Sequence, residues 1–349
     1  MNNYPGQFNN NYQPNGGFQP NYGYNPYGNG PAMFKSREKK AVSTVGKVSG
    51  ICVISFAALG TLIGLVLSNF PKVVTEYTYN SAFSNSFNML ITMLTLGLPF
   101  FFGYLFLKKR GLSGGIPLGR PYDKTDFWLL IPIGVACCVL GSFATGMLST
   151  FVDAVFGIEF SQPDDGSDYS TVSGVAMSLL QTAFVPAFIE EFTIRGVVMQ
   201  SLRRYGDGFA IIMSAAVFAL MHGNMVQIPF AFIAGVALGY IVIKTGTMWT
   251  GIIIHFLNNA AAILSLTLMD RLTEAQSSTV LSVYYVLVFA LGILCLVAYM
   301  KRNRNFMSCL SAGSVTCLKT SEKVSAFVLN IPMILAILIF GYETSLYIS

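Results

Sequence analysis

The feature that most constrains this chain is a succession of apolar runs separated by short polar breaks. A helix that crosses a bilayer needs roughly 20 predominantly apolar residues. Candidate spans lie at about 48–70, 86–107, 127–150, 171–202, 209–223, 227–243, 248–268, 279–300 and 324–341. The fifth and sixth are short, and the stretch 209–243 can be divided in more than one way. With 53% hydrophobic and 11% charged residues, the chain has too little polar surface to cover a water-soluble globule, where about 25% charged is usual. The sequence therefore predicts an all-α fold, a polytopic transmembrane helical bundle of about eight or nine spans. One membrane domain covers about residues 48–300.

Residues 1–34 are rich in Asn, Gly, Pro, Tyr and Gln and nearly free of aliphatic side chains. Such a segment buries too little apolar surface to fold alone and is expected to be a disordered tail. It does not read as a signal peptide, because the first apolar run follows a basic cluster. Residues 301–349 are expected to form a cytoplasmic segment followed by a last candidate span. The six cysteines form no CxxC pair, which argues against a disulfide framework or a zinc knuckle. No basic patch with interleaved aromatics points to nucleic acid; the lipid bilayer is the expected partner.

Orientation follows from where the basic residues fall. With the N-terminus inside, the inner segments hold Lys35, Arg37, Lys39, Lys40, Lys47, Lys108, Lys109, Arg110, Arg120, Lys124, Arg203, Arg204, Lys244, Lys301, Arg302, Arg304, Lys319 and Lys323. The outer segments hold Lys72 and Arg271. This asymmetry predicts a cytoplasmic N-terminus. The outer loop after the third span is acidic, with Asp153, Glu159, Asp164, Asp165 and Asp168, but acidic residues do little to set orientation.

The fourth span carries charges where lipid penalises them. It reads Pro186-Ala-Phe-Ile-Glu190-Glu191-Phe-Thr-Ile-Arg195-Gly196, and each charge at bilayer depth costs roughly 2.5–3.5 kcal/mol on insertion scales. Glu191 and Arg195 share a helix face at spacing i, i+4 and are expected to pair. Glu190 points about 100° away, so its partner must come from another helix. The chain has two histidines, His222 and His255, and both fall in apolar runs. His255 and Asn259 share a face. Counted along straight helices at about 1.5 Å per residue, Glu190, His222 and Asn259 lie roughly 20 Å from the basic side and His255 roughly 13 Å. Three helices thus bring polar groups to a similar level.

Such a cluster allows water-driven amide hydrolysis. Desolvation makes a carboxylate a better general base, while neighbouring cations act the other way. Imidazole and carboxamide donors stabilise a developing oxyanion. Glu190, His222 and His255 are also candidate ligands for a zinc ion with one open position, and the sequence does not choose between a metal and none. Against these stands a plainer reading, in which buried polar residues hold helices together. A transporter would line a pathway with such charges, but no internal repeat is present.

At these residues the sequence resembles the CAAX-processing and bacteriocin-processing intramembrane peptidases, also called the Abi or lysostaphin-resistance-A-like family. The family pattern EExxxR, FxxxH, HxxxN is matched by Glu190-Glu191-xxx-Arg195, Phe218-xxx-His222 and His255-xxx-Asn259, in order and on separate helices. The resemblance covers about residues 170–262. It implies an intramembrane endopeptidase acting on a peptide or membrane-associated protein. Glu190 would activate the attacking water, Glu191 would pair with Arg195, His222 would help hold the water or a metal, and His255 and Asn259 would stabilise the oxyanion. The family type and the Asn/Gly-rich tail imply a bacterial plasma membrane. The alternative on the same fold is a non-catalytic immunity or scaffold protein. Gly111-Leu-Ser113-Gly114 matches the GxSG of rhomboid peptidases but falls in a basic loop and reads as a turn. HExxH is absent, and Gly235-xxx-Gly239 reads as a helix-packing motif.

Overall fold

The structure is a computed structural model that describes residues 31–162, 169–307 and 316–349. The tail up to residue 30, the acidic positions Asp164, Asp165 and Asp168, and Cys309 lie outside the described residues. Residues 31–34, expected as the end of the tail, form the first turn of a helix.

Among the described residues eleven helices carry the fold: α1 (Pro31–Leu67), α2 (Pro71–Tyr79), α3 (Ser81–Lys109), α4 (Lys124–Phe156), α5 (Val172–Tyr205), α6 (Asp207–Leu220), α7 (Ile228–Thr245), α8 (Trp249–Arg271), α9 (Glu274–Arg302), α10 (Thr320–Val328) and α11 (Ile331–Ser345). Seven are long and apolar enough to cross a membrane, or eight if the bent pair α10–α11 is one span. Among the described residues the only strand-like contact is an isolated bridge between Phe160 and Ile348. The all-α polytopic bundle is as expected, with two departures.

The fifth candidate span becomes α6, a helix of 14 residues. At about 1.5 Å per residue it falls short of a hydrocarbon core roughly 30 Å thick. It ends at Leu220 because the next residues make a turn of their own. Gly223 adopts φ +62°. The Asn224 side chain donates to the His222 carbonyl at 2.8 Å and accepts from Gln227 N at 3.0 Å. His222, expected inside a span, therefore sits in this turn. The last candidate span breaks into α10 and α11, bent by 72°. Asn330 makes the corner: its side chain donates to the Phe327 carbonyl and accepts from Met333 N. Two glycines of α1 let this pair lie against it. A Cβ at Gly50 would stand 2.5 Å from Met333 N, and one at Gly46 would strike the Phe327 carbonyl.

The helices run alternately, so the connections fall on two faces. One face carries most of the cations and is tied together by them. Lys35 pairs with Glu322 at 2.7 Å, Arg204 donates to the Gly111 carbonyl at 2.8 Å, and Lys323 donates to the Tyr205 carbonyl at 2.7 Å. On the opposite face the chain end pairs with the loop after α4, Glu159 N to the Ser349 carbonyl at 2.9 Å and Ser161 N to the Tyr347 carbonyl at 3.0 Å.

Asp123 shows how the cationic face is held. It caps α4, accepting from Thr125 N at 2.8 Å and Asp126 N at 2.9 Å, and it meets Arg302 at 2.6 Å. The amide of Asp126, and then Arg302, hold its carboxyl below the usual range. Because its proton affinity is lower folded than unfolded, its stabilising effect is complete above the ordinary carboxylate pKa, about 4. That effect is lost as pH falls through the lower folded value. Thermal melting of the purified protein is expected to weaken over this acidic window, and Asp123→Asn is expected to flatten the decline. An unchanged slope in the variant would remove Asp123 from the explanation.

Candidate active site

The charged turn of α5 sits in a helix that is not wound evenly. Wide π-type turns occupy Leu179–Phe184 and Phe192–Met199, flanking a short α segment that holds Glu190 and Glu191. Such turns appear frequently at functional sites. Pro186 is part of the cause, since it has no N–H to return to the Thr182 carbonyl. That carbonyl instead accepts from Asn259 Nδ2 of α8 at 2.9 Å.

Glu191 and Arg195 pair as their spacing predicts. Glu191 Oε1 lies 2.8 Å from Arg195 Nη1, and both side chains are fully buried. The guanidinium also reaches the Gly235 carbonyl at 3.4 Å and stacks 4.7 Å above the Phe218 ring. The same Glu191 oxygen lies 3.2 Å from His255 Nδ1. The other nitrogen of that imidazole, Nε2, faces Glu190 Oε2 at 3.6 Å. The partner that Glu190 needed on another helix is thus His255, and the four groups form one chain: Arg195, Glu191, His255, Glu190. Two carboxylates thus face one guanidinium and one imidazole. Glu190 is the more open carboxylate, with 20% of its side chain exposed against none for Glu191.

His222 is fixed from its own helix end. Its Nδ1 lies 2.8 Å from the Phe218 carbonyl. A carbonyl only accepts, so Nδ1 carries a proton, and in the neutral imidazole Nε2 keeps its lone pair. The Phe218 ring stands edge-on to both imidazoles, 4.8 Å from His222 and 6.0 Å from His255. It therefore seats both histidines and the guanidinium. The sequence pattern contained Phe218 but did not disclose this work, because ring contacts across three helices leave no local signal.

Glu190, His222, His255 and Asn259 open into one cavity of about 1100 Å³. Its far wall comes from α4, α8 and α9, including Met147, Phe151, Leu266, Met269 and Tyr285. Met147, Phe151, Leu266 and Met269 are large apolar side chains that stay exposed, so this wall is apolar. Asn258 lines the cavity too and donates to Asn259 Oδ1 at 3.1 Å. Glu191 and Arg195 stay behind this surface. The structure thus gathers all six expected residues but gives only four of them access to the cavity.

A glycine that sequence reading missed sets the approach of α8 to α5. A Cβ at Gly251 would stand 2.5 Å from Glu191 Oε2 and 3.0 Å from Val242 Cγ2. Gly251→Ala must push α8 or the Glu191 carboxylate aside. Overpacking of this kind costs about 1–3 kcal/mol, and it acts on the group that orients His255. The variant is expected to melt at lower temperature and to lose most hydrolytic activity. Normal melting with normal activity would show that Glu191 has slack the geometry does not suggest.

Among the described residues, no three of the His, Cys, Asp and Glu side chains are arranged to share a metal ion. Glu191 holds His255 Nδ1, and the Phe218 carbonyl holds His222 Nδ1. Those contacts leave Nε2 as the available nitrogen of each ring, but Glu190, His222 and His255 are not gathered around one point where a zinc ion could sit. Gly111-Leu-Ser113-Gly114 lies in the loop before α4, and Gly235 packs against Ala215 of α6, in keeping with the turn and packing readings.

Residues 172–261 match the family model described as Type II CAAX prenyl endopeptidase Rce1-like. None of the curated proteins and none of the solved structures matches the chain. The matched segment begins with α5 and ends within α8, and it contains every residue of the charge chain, both histidines and Asn259.

Proposed function

Because its central segment is of the Rce1-like type II CAAX endopeptidases, a protease family, we propose that this integral membrane protein is an intramembrane endopeptidase that hydrolyses a peptide bond by glutamate-activated water. The observation that carries the proposal is the chain from Arg195 through Glu191 and His255 to Glu190, ending at the cavity. In this reading Glu190 takes a proton from water as its oxygen attacks the scissile carbonyl carbon. His222 Nε2 accepts from the same water and holds it. The oxyanion is met by His255 and by the second Nδ2 hydrogen of Asn259. As the tetrahedral intermediate collapses, the C–N bond breaks and the proton on Glu190 passes to the departing amine.

Glu191 and Arg195 act as positioning residues. Glu191 orients His255 through Nδ1, and Arg195 balances the charge of Glu191. The substrate class is a membrane-associated protein or peptide, in keeping with a cavity whose wall carries exposed apolar side chains of α4 and α8. The cationic face of the bundle is assigned to the cytoplasm by the positive-inside rule, which places the N-terminus there, and a bacterial plasma membrane fits the tail composition.

The test compares protein termini in membranes of cells expressing wild type or Glu190→Ala at matched levels. New termini that depend on Glu190 are expected, and they would identify the substrate. If none depends on Glu190, and the phenotype survives in the variant, the non-catalytic immunity or scaffold reading replaces the peptidase.

A further inference from the structure

A hydrolase inside a membrane must be supplied with water, and the structure holds buried polar groups that the site does not use. Asn85 of α3 is fully buried, yet neither its Oδ1 nor its Nδ2 has a hydrogen-bond partner. Ser178 of α5 is fully buried with its Oγ unpartnered. Gln181 Oε1 and Thr182 Oγ1 are buried and unpartnered as well.

These residues share one seam. The Ser81–Thr92 stretch of α3 packs on Val172–Ser178 and Leu179–Phe184 of α5. The two helices run in the same direction. Gly97 stands against Ile189, whose side-chain carbons lie 3.8 Å from where its Cβ would be. Counting back equally on both helices puts Asn85 level with residue 177, beside Ser178. Each helix carries one wide turn in this interval, Met93–Gly97 and Leu179–Phe184, so the register is kept. Gln181 and Thr182 follow about one turn deeper, and Thr182 already lines the cavity with Glu190. On the outer side the seam continues to Ser84, also buried, and Ser81.

Polar side chains that merely glue membrane helices bond to one another or to backbone. Asn85, Ser178 Oγ, Gln181 Oε1 and Thr182 Oγ1 do not, and polar groups left bare at membrane depth are strongly disfavoured. Polar, buried and unpartnered groups in a row are what ordered water occupies.

We infer that Asn85, Ser178, Gln181 and Thr182 bind a file of ordered water between α3 and α5, leading from the face opposite the cationic one to the cavity at Glu190. Its role in supplying the hydrolytic water rests on the peptidase reading; the hydration itself does not.

An experimental structure of the full chain in lipid nanodiscs, at a resolution that shows water, reads the hydration directly. Ordered waters on Asn85 and Ser178 are expected. Density in which these groups bond directly to protein, or contact apolar atoms alone, would overturn the inference. For supply, Asn85→Leu is expected to lower kcat about tenfold with little change in KM, and the milder Ser178→Ala to lower it less, both with unaltered assembly. Unchanged kcat in two folded variants would overturn the supply role. A wild type that cleaves nothing would sink the peptidase reading and leave the hydration result standing.

Discussion

Glu190→Gln is expected to lower hydrolysis by about 10² to 10⁴, the usual contribution of a general base, without loss of the folded protein. The amide keeps the size and one acceptor of the carboxylate but cannot take a proton from water. Glu190 is the carboxylate that opens to the cavity, and its one ion-pair contact is His255 Nε2 at 3.6 Å. Removing its charge therefore leaves no other buried ion without a partner, because His255 keeps Glu191 at 3.2 Å. Assembly should survive, and the loss should fall on kcat rather than on substrate retention. The measurement is turnover of a substrate identified by its new terminus, with melting of each purified variant alongside. A Glu190→Gln enzyme that turned over at the wild-type rate would remove Glu190 as the base and, with it, the mechanism.

How far the chain disclosed itself depended on whether a feature was local. The spans were legible because lipid makes the same demand everywhere along a helix, and α3, α4, α5, α7, α8 and α9 overlie candidate runs. The end of α6 was read three residues late, at 223 instead of Leu220, because Met221 keeps the run apolar while the turn is made by Gly223 and Asn224. The corner at Asn330 was hidden in the same way. Within the site, Glu191 and Arg195 were legible as an i, i+4 pair. Helical geometry also showed that Glu190 needed a partner elsewhere, but not that His255 would serve. The roles of Gly251, Phe218 and Thr182 arise only where two helices meet. Their signals are a missing Cβ, a ring shared by three cations or imidazoles, and a carbonyl freed by Pro186, none of which a single helix reveals.

Glu191 and Arg195 give the second large effect, and it separates folding from chemistry. Both are fully buried, and removing one partner of a buried pair costs roughly 3–5 kcal/mol, because the other charge loses its counter-ion; without Arg195, Glu191 keeps only the imidazole of His255. Arg195→Met is therefore expected to lower the melting temperature sharply and to abolish activity. The pair is also incompletely satisfied: Glu191 Oε2 and Arg195 Nε have no hydrogen-bond partner. Replacing both members should then cost less than replacing one, so Glu191→Gln with Arg195→Met should melt above Arg195→Met alone. Activity is expected not to follow. Without the Glu191 carboxylate, His255 Nδ1 loses the anion that fixes its orientation toward Glu190, and the double variant should stay well below wild type. A double variant that regained stability and turnover together would mean that Glu191 serves only to neutralise Arg195. Recovery of stability alone would identify Glu191 as the group through which α5 positions the imidazole of α8.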